Sequence, residues 1–241
     1  MKKQIKRLLS LAIVLSLFLT MMTGCSSTDS KEASPPAENP KDSSAETPAS
    51  NSSDKVLLVV SFGTSYNDNR ELSIGGVENA LQKAYPDYEV RRAFTSQIII
   101  DKLKERDNIE IDNVTEAMDR LVADGIKEVV IQPTHVMSGY EYDDVVNEVN
   151  PYKDKFESFK IGKTLLSSDA DYKEAISVVT EETKSYDTEG TAIIFMGHGT
   201  EHEANSTYAK LQQFFTDAGH SNYFIGTVEA TPSLDDIVAL V

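Results

Sequence analysis

Two apolar runs, 136 positions apart, each end in a small loop that contains glycine. Residues 192–200 read Ala-Ile-Ile-Phe-Met-Gly-His-Gly-Thr, and residues 56–64 read Val-Leu-Leu-Val-Val-Ser-Phe-Gly-Thr. A short continuous apolar run closed by glycine is the pattern of a parallel strand covered on both faces, and open α/β sheets hold their ligands at the carboxyl ends of such strands. The echo predicts an α/β fold of two similar, doubly wound parallel-sheet lobes facing one cleft. His198 stands in the second loop, and the first has no histidine at the matching place.

The rest of the chain alternates strand and helix patterns, as a doubly wound sheet requires. Strands are expected at 56–60, 88–94, 127–134, 159–165, 191–196 and 223–228. Helical spacing covers 70–85, where Leu72, Ile74, Val77, Ala80, Leu81 and Ala84 share a face. Ser96 is a candidate cap for a helix through 104, and Asn113 or Thr115 for one through 123. Residues 137–142 read as a loop, followed by a helix to about 150. Ser168 opens a long helix with Asp169 and Asp171 in its first turn, 204–218 is a further helix, and Ser233 caps 234–241. The first half holds a third strand, ending at His135, with no counterpart in the second half. The second lobe is therefore expected to be incomplete, as in a C-terminally truncated chain, with a sheet edge that needs covering.

Two N-terminal segments stand apart from this pattern. Lys2, Lys3, Lys6 and Arg7 precede an apolar stretch over 8–22, and Thr23-Gly24-Cys25 follows. This is a secretory signal over 1–24, and its end resembles a bacterial lipobox, which implies lipidation of Cys25 and an exported, membrane-anchored lipoprotein facing outside the cytoplasm. Residues 25–54 are rich in Ser, Pro, Ala, Asp and Glu and read as a disordered tether. The domain then occupies 55–241, with one lobe over about 55–165 and the other over about 166–241. The first 54 residues carry six basic and six acidic side chains, so the whole net charge of −16 falls on the domain. That argues against nucleic acid and against an anionic membrane surface as partners, leaving the lipid anchor as the membrane contact. Cys25 is the sole cysteine, so no disulfide forms within the chain.

The residues suited to chemistry sit at predicted strand ends. Flanking glycines leave the imidazole of His198 uncrowded, and imidazole serves both as a base near neutral pH and as a ligand for divalent metal. Glu229 ends the next strand, and adjacent parallel strands end on the same side, so the two are expected to converge as a two-member metal site. His135 closes the third strand with Glu141 six positions on, and the 61–66 loop offers Ser61, Thr64 and backbone amides to an anion. Arg91 and Arg92 are candidates to hold acidic groups of a ligand. His202 and Glu203 read as a solvated helix start, and His220 as a surface residue. The chain lacks the lysine of a nucleotide P-loop, the Gly-x-Ser-x-Gly elbow of a serine hydrolase, and the arginine that precedes histidine in phosphohistidine phosphatases.

Four motifs in order, Ser61-Phe-Gly-Thr-Ser-Tyr66, Gln132-Pro-Thr-His135 with Gly139-Tyr-Glu-Tyr142, Phe195-Met-Gly-His-Gly-Thr-Glu-His-Glu-Ala-Asn205 and Gly226-Thr-Val-Glu-Ala-Thr-Pro232, resemble the anaerobic sirohydrochlorin cobalt chelatases of the class II chelatase superfamily. The resemblance covers essentially all of 55–241. It implies two α/β lobes with a tetrapyrrole in the cleft, Co²⁺ as substrate metal inserted on the route to cobalamin, and no organic cofactor. It also places His198 and Glu229 on the family's metal positions. From their places at the strand ends, His198 is the expected catalytic base and ligand and Ser61, Thr64, His135 and Glu141 are expected beside the substrate, with a homo-oligomer possible. The family's further histidine, in a Gly-Asp-His-Ala-like motif, does not occur up to Val241. The competing expectation is a membrane-tethered metal or tetrapyrrole (haem or corrinoid) binding protein without turnover.

Overall fold

The computed structural model describes residues 53–241. The signal segment, Cys25 and the tether up to residue 52 lie outside the described residues.

β1 (Lys55–Ser61) is the run of branched aliphatics, and Val56, Leu57, Leu58, Val59 and Val60 are all buried. It lies inside a four-stranded parallel sheet of order β2-β1-β3-β4, with β2 at Glu89–Phe94, β3 at Glu128–Pro133 and β4 at Ser158–Ile161. Val56 is level with Glu89 on one side and Val129 on the other. Being hydrogen-bonded at both edges and covered on both faces is what selects an unbroken aliphatic run. Ser53 and Asp54 are tied to this sheet, since the Asp54 carbonyl accepts from the Lys127 and Glu128 amides.

α1 runs in three parts, α-helical Asn67–Asn69, a π-helical Arg70–Gly75 and α-helical Gly76–Ala84. The apolar spacing predicted a helix here but not its wider middle turn, whose first residue, Arg70, is buried and donates to the Asn67 side chain at 2.9 Å. α2 (Gln97–Asp107) extends past the expected end at 104, and Ser96 precedes it without a side-chain cap bond. α3 (Val114–Ala123) starts in a capping box in which the Asn113 side chain accepts from the Glu116 amide and Glu116 returns the bond. α4 (Tyr140–Val149) begins within the stretch expected as a loop, so Glu141 is in a first helical turn. The expected strand over 159–165 forms over Ser158–Ile161, because the Leu165 and Leu166 amides turn to the His135 and Val136 carbonyls.

Val56, Leu58 and Val60 pack on one side of the sheet against Met118 and Leu121 of α3 and Val145 and Val149 of α4. Phe94, Ile100 and Leu103 form a second cluster with Ile74 and Ile99.

After α5 (Asp169–Thr183), capped by Ser168 and Asp171, comes a second parallel sheet of β5 (Ile193–Gly197) and β6 (Tyr223–Thr227). Its core is Ile176, Phe215, Tyr223 and Ile225, with Phe195, Tyr208 and Leu211 packed around it. α6 (Ser206–Asp217) joins the two strands, and α7 (Leu234–Val238) follows β6 with Ser233 as cap. His220 is half-buried rather than a surface residue, its ring edge-on to Phe215 and Tyr223.

Candidate functional site

The loop after β5 is shaped by its two glycines. A Cβ on Gly197 would run into the Tyr208 ring, and Gly199 has φ +86° with Ala230 so close that a Cβ would sit 2.8 Å from it. The Tyr208 hydroxyl accepts from the Gly199 amide at 3.2 Å. With both neighbours packed down, the His198 side chain between them is left 76% exposed. The β5–β6 ladder continues past the strand ends through Val228 N–H to the Gly197 carbonyl and Glu229 N–H to the His198 carbonyl at 2.9 Å. That register puts the two side chains next to each other, with His198 Nδ1 3.8 Å from Glu229 Oε2.

The distance is too long for a hydrogen bond. Nδ1 lies instead 3.1 Å from the Gly199 carbonyl, an acceptor only, so in the neutral imidazole Nδ1 carries the proton and Nε2 keeps its lone pair. An exposed imidazole with a free Nε2 beside a carboxylate offers two donors to a divalent ion and two acceptors to protons. Among the described residues no group of three or more His, Cys, Asp or Glu side chains comes together for a metal. The pair thus leaves coordination positions open for other ligands.

The first-lobe candidates are placed differently. Ser61 is buried and its hydroxyl accepts from Thr134 at 2.9 Å, so it joins two strand ends. Thr64 is half-buried and accepts from the Tyr66 amide at 3.3 Å. Both ring nitrogens of His135 are buried without a partner, and burial holds its imidazole below the ordinary value, opposed by the Glu141 charge. Glu141 itself is exposed and accepts from the Thr95 hydroxyl at 3.1 Å. Arg91 and Arg92 are not free to meet acidic groups, since Arg91 pairs with Glu89 and Asp124 and Arg92 pairs bidentately with Glu78. A cavity of about 510 Å³ opens beside these arginines, but its wall of ion pairs holds neither His198 nor Glu229, and its volume marks no chemistry.

One feature of the strand ends was not legible as a set. Phe62, Val136, Leu165 and Val228, each just beyond the end of a different strand, are all large, apolar and exposed. Exposed aliphatic and aromatic side chains beyond the carboxyl ends of parallel strands are the kind of surface a flat apolar ligand face can lie on. His202 also departs from expectation. It is not a solvated helix start, since its side chain is only 16% exposed and lies 3.4 Å from Asp143 of α4.

Comparison with known proteins agrees with this arrangement. A family model described as cobalt chelatase matches residues 55–241. The chain is similar to a sirohydrochlorin cobaltochelatase of Salmonella typhimurium, 39% identical over 184 residues, which are 76% of this chain and 69% of that protein. It is also similar to the sirohydrochlorin cobaltochelatase CbiKC of Nitratidesulfovibrio vulgaris, 27% identical over 186 residues, 76% of this chain and 65% of that protein. A match over the whole described domain, with the motif residues at the strand ends, makes this chain a member of the cobalt chelatase family.

Proposed function

We propose that the protein is a sirohydrochlorin cobaltochelatase, inserting Co²⁺ into the macrocycle in cobalamin biosynthesis, with the His198–Glu229 pair as its chemical centre. The observation that supports this most directly is the exposed pair itself, 3.8 Å apart at the ends of two hydrogen-bonded parallel strands in a chain of the cobalt chelatase family.

Insertion exchanges one divalent cation for two pyrrole N–H protons, so the site must deliver the first and remove the second. His198 Nε2 and the Glu229 carboxylate hold Co²⁺ with too few ligands to retain it, and the ring nitrogens complete the coordination. Once the ion passes to the ring, the Nε2 lone pair and the carboxylate are free at the moment two protons need acceptors. Two protons leave and two acceptors stand ready, each exposed and able to pass its proton to water. The apolar side chains beyond the strand ends give the faces of the macrocycle a surface to lie on, while Thr64 and Glu141 are placed as polar neighbours.

The test is the absorbance change of sirohydrochlorin with Co²⁺, followed with wild type and His198→Ala. Faster metallation by wild type than in free solution, lost in the variant, supports the reading. Ring binding without acceleration by wild type replaces it with that of a binding protein without turnover.

We propose in addition that Cys25 is lipidated and that the protein is an exported lipoprotein. The support is the charged, apolar and Thr-Gly-Cys order of residues 1–25. Cys25→Ser is expected to move the protein from the membrane fraction to the soluble one, and a wild type already soluble rejects the proposal.

A further inference from the structure

His202 belongs to the loop that carries His198, yet its ring is held by the other sheet's helix. Its Nδ1 accepts from the Ala204 amide at 3.0 Å, which leaves the ring proton on Nε2, the atom 3.4 Å from Asp143 Oδ2. The Tyr140 ring stands edge-on to the imidazole, with centroids 4.7 Å apart at 74°. At the same place the backbone of Gly139 comes close to Ala204, within 4.0 Å of its Cβ measured from a Cβ built on the glycine. Among the described residues, the 3.4 Å approach of His202 to Asp143 is the one polar side-chain contact that joins elements before residue 166 to elements after it.

From His202 the connection runs to both loops of the candidate centre. The His202 amide donates to the Thr200 hydroxyl at 3.1 Å, and the Thr200 amide donates to the Asn205 side chain at 3.2 Å. The Asn205 side-chain amide then donates to the Thr231 carbonyl at 3.1 Å, two residues beyond Glu229. A single imidazole, fixed by a backbone amide, a carboxylate and an aromatic edge, thereby ties the His198 and Glu229 loops to the first turn of α4, where Tyr140 and Glu141 stand.

We infer that His202 is a positioning residue, which holds the His198–Glu229 pair at a fixed place relative to α4 through Asp143. Its effect is geometric, and misplacement of reacting groups by about 1 Å is enough to cost on the order of 100-fold in rate.

The substitutions separate its two contacts. In His202→Asn the side-chain oxygen still accepts from the Ala204 amide but the side chain is too short for Asp143, whereas His202→Gln reaches Asp143. This arm rests on the proposed insertion reaction. The turnover number for metallation is expected to fall roughly 10- to 100-fold in His202→Asn and in Asp143→Ala, with KM for sirohydrochlorin within about twofold. His202→Gln recovers a substantial part, and His202→Asn with Asp143→Ala together lose no more than the worse single variant. Additive losses, or a loss that appears in KM alone, overturn the inference.

A second arm needs no activity. With Cys25→Ser removing the native thiol, spin labels at Lys104→Cys on α2 and Lys184→Cys beyond α5, both exposed, report the distance between the two sheets. The distribution is expected to broaden in Asp143→Ala and in His202→Asn and to narrow again in His202→Gln. A distribution unchanged by both disruptive variants overturns the inference. Broadening in a wild-type background that fails to metallate keeps the link and removes the reaction instead.

Discussion

The loop after β1 and the loop after β5 share one backbone plan and use it for different ends. Each follows a parallel strand, and each turns on a glycine with positive φ, +101° at Gly63 and +86° at Gly199. In the first, Ser61 is buried and bonded to Thr134, while Phe62 is exposed. In the second, His198 is exposed and stands beside Glu229. The strands differ in the same sense: β1 is flanked on both sides and its aliphatic residues are buried, whereas β5 pairs with β6 alone among the described residues and is half-exposed. Stability is concentrated in the first sheet and free polar chemistry in the second.

The largest expected effect tests the chemical half of that contrast. Under the proposed function, His198→Ala removes an acceptor and a ligand together, and proton transfer alone is worth about 10²- to 10⁴-fold in rate. Metallation is expected to fall by at least that factor with ring binding retained. Glu229→Gln should lose less, because the imidazole remains. Ser61→Ala, in the first loop one position before the residue that matches His198, should leave the rate within about twofold and cost about 1 kcal/mol of stability through the lost Thr134 bond. A large rate loss in Ser61→Ala breaks the comparison, and steady-state kinetics on the three variants decide it.

Packing gives the next effect. Leu58 is 1% exposed at the centre of the first core, and Leu58→Ala is expected to cost about 2–5 kcal/mol. Ile194→Ala, on the half-buried β5, should cost less because part of that side chain already meets water. Urea unfolding of the pair measures the difference, and equal losses would mean that the two sheets carry stability alike.

The glycines sharpen the contrast further. Gly63→Ala forces a Cβ to within 2.6 Å of the Phe94 ring, and Gly199→Ala to within 2.8 Å of Ala230, each also at positive φ. Strain of about 1–3 kcal/mol is expected at both. The readouts should separate: Gly63→Ala lowers the unfolding midpoint with little change in metallation per folded molecule, and Gly199→Ala shifts His198 and lowers metallation at a temperature where the protein stays folded.

What the sequence made legible follows from range. Apolar runs and helix starts are local signals, so β1, β3, β5 and β6 and the helices opening near Asn113 and at Ser168 were readable from neighbours in the chain, although the capping boxes that begin them were not. The convergence of His198 with Glu229 was readable because parallel register is a rule that carries over 31 residues. Contacts that depend on which helix lies across a gap were not. His202 looked solvated because Asp143 and Tyr140 are about 60 positions away, and Arg91 and Arg92 looked free because Asp124 and Glu78 reach them only in the fold. The π-helical turn at Arg70–Gly75 keeps an ordinary apolar spacing and left no local mark.

The smallest expected effect concerns the histidine that the first sheet withdraws from water. Burial holds His135 below its ordinary value of 6.5, with the Glu141 charge opposing, and both ring nitrogens lack partners. The sign follows from proton counts. Between the lowered folded value and 6.5 the unfolded chain binds more protons at this residue than the folded chain, so stability is complete above about pH 6.5 and declines as pH falls through the window. His135→Phe removes the titrating group without breaking a hydrogen bond, because none is made. Urea midpoints measured at pH 7.5 and pH 5 for wild type and variant should show a smaller drop on acidification in the variant, with carboxylate titrations elsewhere cancelling in the comparison. An equal drop in both proteins would mean that the ring takes up its proton in the folded state as readily as in the unfolded one, and the first sheet would then hold a histidine as available to solvent protons as the one the second sheet exposes.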